Sequence, residues 1–338
     1  MYKLIGENNK VNYGSVDELL DFNYMDFKLL DFFDKEIKGF KKKFAFHTFN
    51  YIGIISENYL IGVAVVNLGY LANIFAFIYD YKKGKIYECT TNQLPSKIDF
   101  PLNPDEYEIK FSGKNISLKI NKSHKKNQLL ISGIFDGKLE ISAMFNYGLK
   151  NKPLRVINPS CGDPHRFTFT EKCSPLSVKQ VSIKFEGNDL NIKPQNTTAI
   201  YDWSGGYLNR NTNWLWSAFG GQSNKNMIGA NFAALVNESY YPENAFWINN
   251  KRTRTSNVIY DINMNNPYED WRIFTENGDV DLVFHPFGER SDKRNMFFVK
   301  LNFRQFIGEY SGKFKDQKVK IVKFEKIRGL AEIHYSLW

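Results

Sequence analysis

The chain has 338 residues, 43% hydrophobic and 24% charged, with a net charge of +9. This is too apolar for an unfolded chain, and the length permits one large or two ordinary cores. Three cysteines, Cys89, Cys161 and Cys173, with no Cys-x-x-Cys among them, exclude a disulfide framework.

The basic charge is mostly lysine spread along the chain, and the only tight clusters are Lys41-Lys42-Lys43, Lys82-Lys83 and Lys125-Lys126. A nucleic-acid partner would want one concentrated basic face, so none is expected. Cys161, His165 and Cys173 fit no zinc spacing and lack a fourth ligand. No metal and no cofactor are expected.

Met1 to Ser15 has neither an apolar core nor a small-residue cleavage site, so no signal peptide is read and a cytoplasmic protein is expected. Ser15 and Glu18 have capping-box spacing. Leu19, Leu20, Phe27, Leu30, Phe33 and Ile37 can share a stripe, which predicts a helix within residues 16–38 that ends before Gly39.

From Phe44 onward the pattern alternates as strands do. Tyr59 to Tyr79 is uncharged for about the length of a membrane span. It reads instead as two buried strands, Tyr59 to Val66 and Ile74 to Tyr79, joined by an Asn-Leu-Gly turn. No membrane span is expected. Short strands follow at Ile86 to Thr90, Tyr107 to Phe111, Ile116 to Ile120, Leu129 to Phe135 and Leu139 to Phe145. Asp136-Gly137 and similar pairs supply hairpin turns. Strands resume at Phe167 to Thr170 and Val181 to Phe185.

In the second half, strands are predicted at Asn213 to Phe219, Gly229 to Val236, Ala245 to Ile248, Asn257 to Tyr260, Trp271 to Thr275 and Val280 to Phe284. Four more lie at Phe297 to Phe306, Ser311 to Lys315, Lys318 to Lys323 and Leu330 to Leu337. Asn249-Asn250 and Asn277-Gly278 suit hairpins. No strand–helix alternation of a parallel sheet appears. The expected fold is all-β: two tandem antiparallel lipocalin-like (calycin) barrels with a short N-terminal helical segment. The expected divisions are an N-terminal segment over 1–43, a first barrel over 44–195 and a second over 196–338.

The richest stretch is 201–249. It holds Trp203, Trp214, Trp216 and Trp247, four of the six tryptophans, interleaved with Asp202, Arg210, Asn231, Glu243 and Asn244. Buried indoles and carboxylates want polar partners, so the mixture reads as either an interdigitated core or a pocket lining.

Several blocks here resemble an uncharacterised family, domain of unknown function 2804. They are Gly69-Tyr70 with Phe75 to Asp80, Phe167 to Lys172, Asp202 to Gly206, Arg210 to Ser217 and Glu243 to Trp247. Asp281 to Pro286, Gln305 to Gly308, Tyr310-Ser311-Gly312 and Gly329 to His334 complete the ordered set. The chain departs from the family pattern where a basic residue is expected near Gly206. The resemblance names no activity. The architecture is similar to that of the two-barrel carotenoid hydratases, which implies an apolar or amphipathic ligand by analogy of fold alone.

The predicted function is binding of an apolar, lipid-like small molecule in a barrel cavity, with Trp203, Arg210, Trp214, Trp216, Asn231, Glu243, Asn244 and Trp247 as its contacts. One alternative is an enzyme of the same fold, in which Asp202, His285, Glu332 or His334 performs acid–base hydration or isomerisation. Convergence of Asp202, His285 and Glu332 within hydrogen-bond reach at one pocket would favour it, and their scatter would count against it. The competing roles are structural. Asp202 would cap a turn at Ser204-Gly205-Gly206, and Glu332 would pair with Arg210 or Arg290. A second alternative is a carbohydrate-binding β-sandwich with an exposed aromatic row. No nucleophile elbow, phosphate loop or His-Glu-x-x-His is present.

Overall fold

The computed structural model describes all residues except 99, 101–102, 161–162, 240, 297–298, 317–318 and 338. Cys161 and the predicted strand positions Phe297 and Lys318 lie outside the described residues.

Two antiparallel sheets curl into half-barrels. In the first, neighbouring strands run in the order Lys85–Gln93, Ala72–Asp80, Tyr59–Asn67, His47–Ile55, Thr198–Gly206, Asp163–Phe185, Leu139–Asn146, Gln128–Phe135, Ile116–Ser123 and Glu106–Ser112. In the second the order is Lys251–Arg254, Ala245–Ile248, Asn226–Ala234, Asn211–Ser223, Ile321–Leu337, Val299–Lys315, Val280–Met296, Trp271–Phe274 and Ile259–Asp261.

The turn chemistry explains the register. Asp136 and Gly137 both have positive φ, as do Asn249 and Asn250, and each pair closes a tight hairpin. Tyr59–Asn67 pairs with Ala72–Asp80, so the uncharged stretch forms two strands of one sheet. Among the described residues no helix is long and apolar enough to cross a membrane.

The sequence expectations need three corrections. No α-helix forms within 16–38, where the only helical turn is the 3-10 segment Tyr24–Asp26; among the described residues the only α-helix is Gly39–Phe44. Phe33, placed on the apolar stripe, is 75% exposed, and Ser15 lies in a two-residue strand rather than capping a helix. The leading segment instead runs extended across the first half-barrel and seals it. It buries Leu4, Ile5, Val16, Leu20, Phe22, Tyr24, Phe27 and Leu29 in that core. Each large side chain so buried contributes about 1.5–3 kcal/mol, a gain that one helical stripe could not collect from a concave surface.

Second, the Thr198–Gly206 strand pairs with His47–Ile55 and Asp163–Phe185, so the chain leaves the first sheet between Gly206 and Asn211 rather than at 195. Ser204-Gly205-Gly206 is therefore strand, not turn. Third, Phe167 to Thr170 and Val181 to Phe185 are parts of one strand.

Each sheet has its own core on one face. A third cluster joins Tyr51, Leu60, Ala64, Phe77 and Ile200 of the first sheet to Trp216, Ala233, Ile307 and Leu330 of the second. The central strands of the first sheet are thus buried on both faces. Gly62 makes this close packing possible, because a Cβ there would lie 2.2 Å from the Phe77 ring and 2.8 Å from the Tyr51 hydroxyl.

Candidate functional site

Beside this third cluster the two sheets part around a cavity of about 250 Å³. Register explains its lining. Lys172, Asp202, Tyr51, Ala64 and Phe75 stand opposite one another on five adjacent strands of the first sheet. Arg290, Gln305, Glu332, Trp216 and Ala233 do the same on the second. The next rung of the second sheet carries Asp292, Phe303, His334 and Trp214. Because side chains alternate, these rows face the gap between the sheets, and all of them except Gln305 line the cavity.

Lys172 is the centre of charge. Its Nζ bonds Asp202, lies 3.6 Å from Glu243 Oε2 and sits 5.6 Å above the Trp216 ring. Burial disfavours its charge, but the Asp202 and Glu243 carboxylates outweigh that and hold it above its ordinary value. Burial pushes Asp202 upward, against the opposing pull of Lys172. Glu243 is buried and also accepts from Thr170 Oγ1 at 2.9 Å and from Asn237.

Among the described residues no cation is bonded to Glu332. Its Oε2 accepts from Trp214 Nε1 at 2.9 Å and its Oε1 from Gln305 Nε2 at 2.6 Å. Burial pushes its carboxyl up to about 7, against the pull of these two donors. Both described partners are donors, so the proton of its neutral form is not consumed by a protein acceptor. His334 stacks on Trp214 with ring centroids 3.5 Å apart and planes 8° from parallel. Burial drives its pKa down to about 3, so it stays neutral. Tyr51 presents a buried hydroxyl without a hydrogen-bond partner, and burial keeps it protonated.

The structure therefore brings together Asp202, Glu332, His334, Trp214, Trp216 and Glu243. Asn231 supports them, accepting from Trp216 Nε1 at 2.8 Å and donating to the Glu243 carbonyl at 2.7 Å. Asn244 is structural, binding the backbone of Ala233 and Ser256.

Others depart from expectation. His285 is exposed, pairs with Asp270 at 2.6 Å and is not among the residues that line the cavity. Trp203 alternates away from Asp202 into the first core, against Phe22 and Phe169. Trp247 also enters that core and donates to the Lys152 carbonyl at 3.0 Å. Arg210 is exposed, outside the cavity lining. Glu332 pairs with neither Arg210 nor Arg290 among its described bonds. Trp203 and Trp247 are buried in the first core and Trp214 and Trp216 line the cavity, so these four form no flat exposed row.

Sequence reasoning missed Lys172 and Tyr51 as site residues. The usable signal was alternation: Thr168, Thr170 and Lys172 share a face, as do Asp202 and Ser204.

The opposite face of the Asp163–Phe185 strand carries a second buried cluster. Glu171 accepts from Lys122 Nζ at 2.5 Å and from Tyr147, forms an ion pair with Arg155 Nε at 2.9 Å, and contacts His124 Nε2 at 3.2 Å. Asp105 accepts from Arg155 and from the Leu20 amide at 2.6 Å. Asp105, His124 and Glu171 offer ligand atoms within 4.8 Å of one another. Lys122 and Arg155 already supply two positive charges there, so a metal cation would be repelled. Burial works against ionisation of Glu171, yet Lys122, His124 and Arg155 hold it well below the usual carboxylate range.

Residues 19–338 match the family model for a domain of unknown function, DUF2804. The chain belongs to this family. No curated protein matches this DUF2804 chain in sequence. Among solved structures its fold is shared with kievitone hydratase from Nectria haematococca, 13% identical, with 86% of this chain and 88% of that one covered at a TM-score of 0.54. It is also shared with CghA, 8% identical, with 99% and 96% covered and a TM-score of 0.51. A putative AttH from Nitrosomonas europaea is 9% identical, with 85% and 91% covered at 0.50. At these identities the likeness concerns the two-barrel fold.

Proposed function

We propose that this protein holds a small, largely apolar molecule between its two half-barrels and that Glu332 protonates it. The reaction class is acid-catalysed hydration or isomerisation at a carbon–carbon double bond. The observation that carries the reading is a buried carboxyl, bonded only by donors, facing a cavity walled by Trp214, Trp216, Phe49 and Tyr51.

In hydration, the Glu332 proton adds to one alkene carbon and a water oxygen bonds to the other. Asp202, held by Lys172, takes the proton that this water releases. Exchange with solvent then returns Glu332 to its neutral form and Asp202 to its ionised form. In isomerisation the carbocation instead loses a neighbouring proton to Asp202. Positioned acids and bases of this kind contribute about 10²–10⁴-fold each. One protein of the same fold is named a hydratase, which accords with this reading without carrying it.

The test begins with native mass spectrometry and organic extraction of protein purified from its own host. The retained compound is then incubated with the protein in D₂O. The reading expects deuterium incorporation, or addition of water, that Glu332→Gln abolishes while retaining the ligand. A retained ligand that never exchanges or gains water would leave binding alone as the function.

A further inference from the structure

At one end of the cavity wall stands Arg290, only 5% exposed. Its Nη2 donates to Glu88 Oε1 at 2.5 Å, yet among the described residues its Nε and Nη1 have no hydrogen-bond partner. Its guanidinium lies 3.8 Å from the Phe75 ring centroid and 5.1 Å from that of Phe303, one ring from each sheet. The aromatic faces hold the cation by its ring-quadrupole attraction but satisfy none of its N–H groups. Buried donors without acceptors cost about 1–3 kcal/mol each, more when the group is charged. A built, desolvated cation with spare donors lining a cavity is a receptor for an acceptor oxygen.

We infer that Arg290 binds a carboxylate of the ligand, so that the molecule held between the sheets is an amphipathic acid. This rests on the proposed ligand cavity. A charged acceptor fits better than a neutral one, because hydrogen bonds between ions are roughly twice as strong as neutral ones. Glu88, the one carboxylate bonded to Arg290, is 30% exposed and occupies a single nitrogen. The nearby Asp292 is engaged by Arg294 at 2.7 and 3.0 Å. Register also sets the ligand's length. Arg290 lies two strands from Glu332, with Gln305 between them, a separation of about 10 Å at the backbone. The acid group and the reacting carbon are therefore separated by an apolar body that crosses Gln305 toward Trp216.

The experiment compares decanoate, methyl decanoate and decanol as calorimetric ligands of the full chain after delipidation. Decanoate should bind at least tenfold more tightly than the ester or the alcohol. Arg290→Met should erase that preference, weakening decanoate far more than decanol, and Arg290→Lys should restore part of it. In the wild-type complex, ¹³C-carboxyl decanoate should stay ionised to at least about one pH unit below its solution value, a readout that does not depend on the variants folding. Equal affinity for acid and alcohol, or a bound carboxyl that titrates as in solution, would overturn the Arg290 inference and leave the cavity intact. Failure of all three probes to bind would overturn both the inference and the cavity reading.

Discussion

Glu171 and Lys172 are neighbours in sequence, and they point to opposite faces of one strand into two buried clusters of charge. The Glu171 cluster sets two carboxylates, Glu171 and Asp105, against Lys122 and Arg155. Its charges are matched, two carboxylates to two cations. The Lys172 cluster sets three carboxylates, Asp202, Glu243 and Glu332, around one lysine. Its charges are not matched, and the imbalance falls on Glu332, the carboxyl without a bonded cation. The matched cluster favours ionised Glu171; the unmatched one, beside a cavity, favours the neutral form of Glu332.

The comparison breaks most visibly on the matched side. Glu171→Gln should cost on the order of 3–5 kcal/mol by leaving Lys122 and Arg155 without their shared carboxylate, read as a large fall in melting temperature. An unchanged melt would show that the two clusters do not differ as described.

Next in size is the pH dependence carried by Glu332. Its folded pKa of about 7 stands above its ordinary 4.5, so its neutral form is favoured by folding. That contribution is fully present below about 4.5 and is lost as pH rises through 7. Across this window it amounts to roughly 3 kcal/mol. Denaturant titrations at several pH values should show this decline in the wild type and a flatter curve in Glu332→Gln.

A smaller shift sharpens the assignment. Trp214 donates to Glu332 and lowers its pKa, so Trp214→Phe should move the pH midpoint of any Glu332-dependent signal upward by about one unit or less. The smallest effect belongs to His285. Being exposed and outside the cavity, His285→Ala should change stability by no more than about 0.5 kcal/mol and leave ligand binding untouched.

The all-β fold was legible because Ile116, Leu118 and Ile120 alternate with Ser117 and Lys119, and because Asp136-Gly137 and Asn249-Asn250 mark their turns. The site was harder to read for a physical reason. His47–Ile55 is buried on both faces, since one faces its own core and the other the second sheet. Periodicity cannot say which face is which, so Trp203 entered the expected site while Lys172 was left out. His285 drew attention as a histidine beside Pro286, but its orientation depends on a bulge near Pro286 and Gly288 that no local pattern announces. The N-terminal stripe was misread because its leucines and phenylalanines bury themselves in a concave sheet without needing helical spacing.

The most direct test of the central claim is a ¹³C NMR titration of side-chain carboxyl carbons, with Glu332 assigned by its loss in Glu332→Gln. The predicted midpoint is close to 7. A midpoint in the ordinary range near 4.3 would mean that Glu332 is ionised at neutral pH, and the proposed proton donor would not exist.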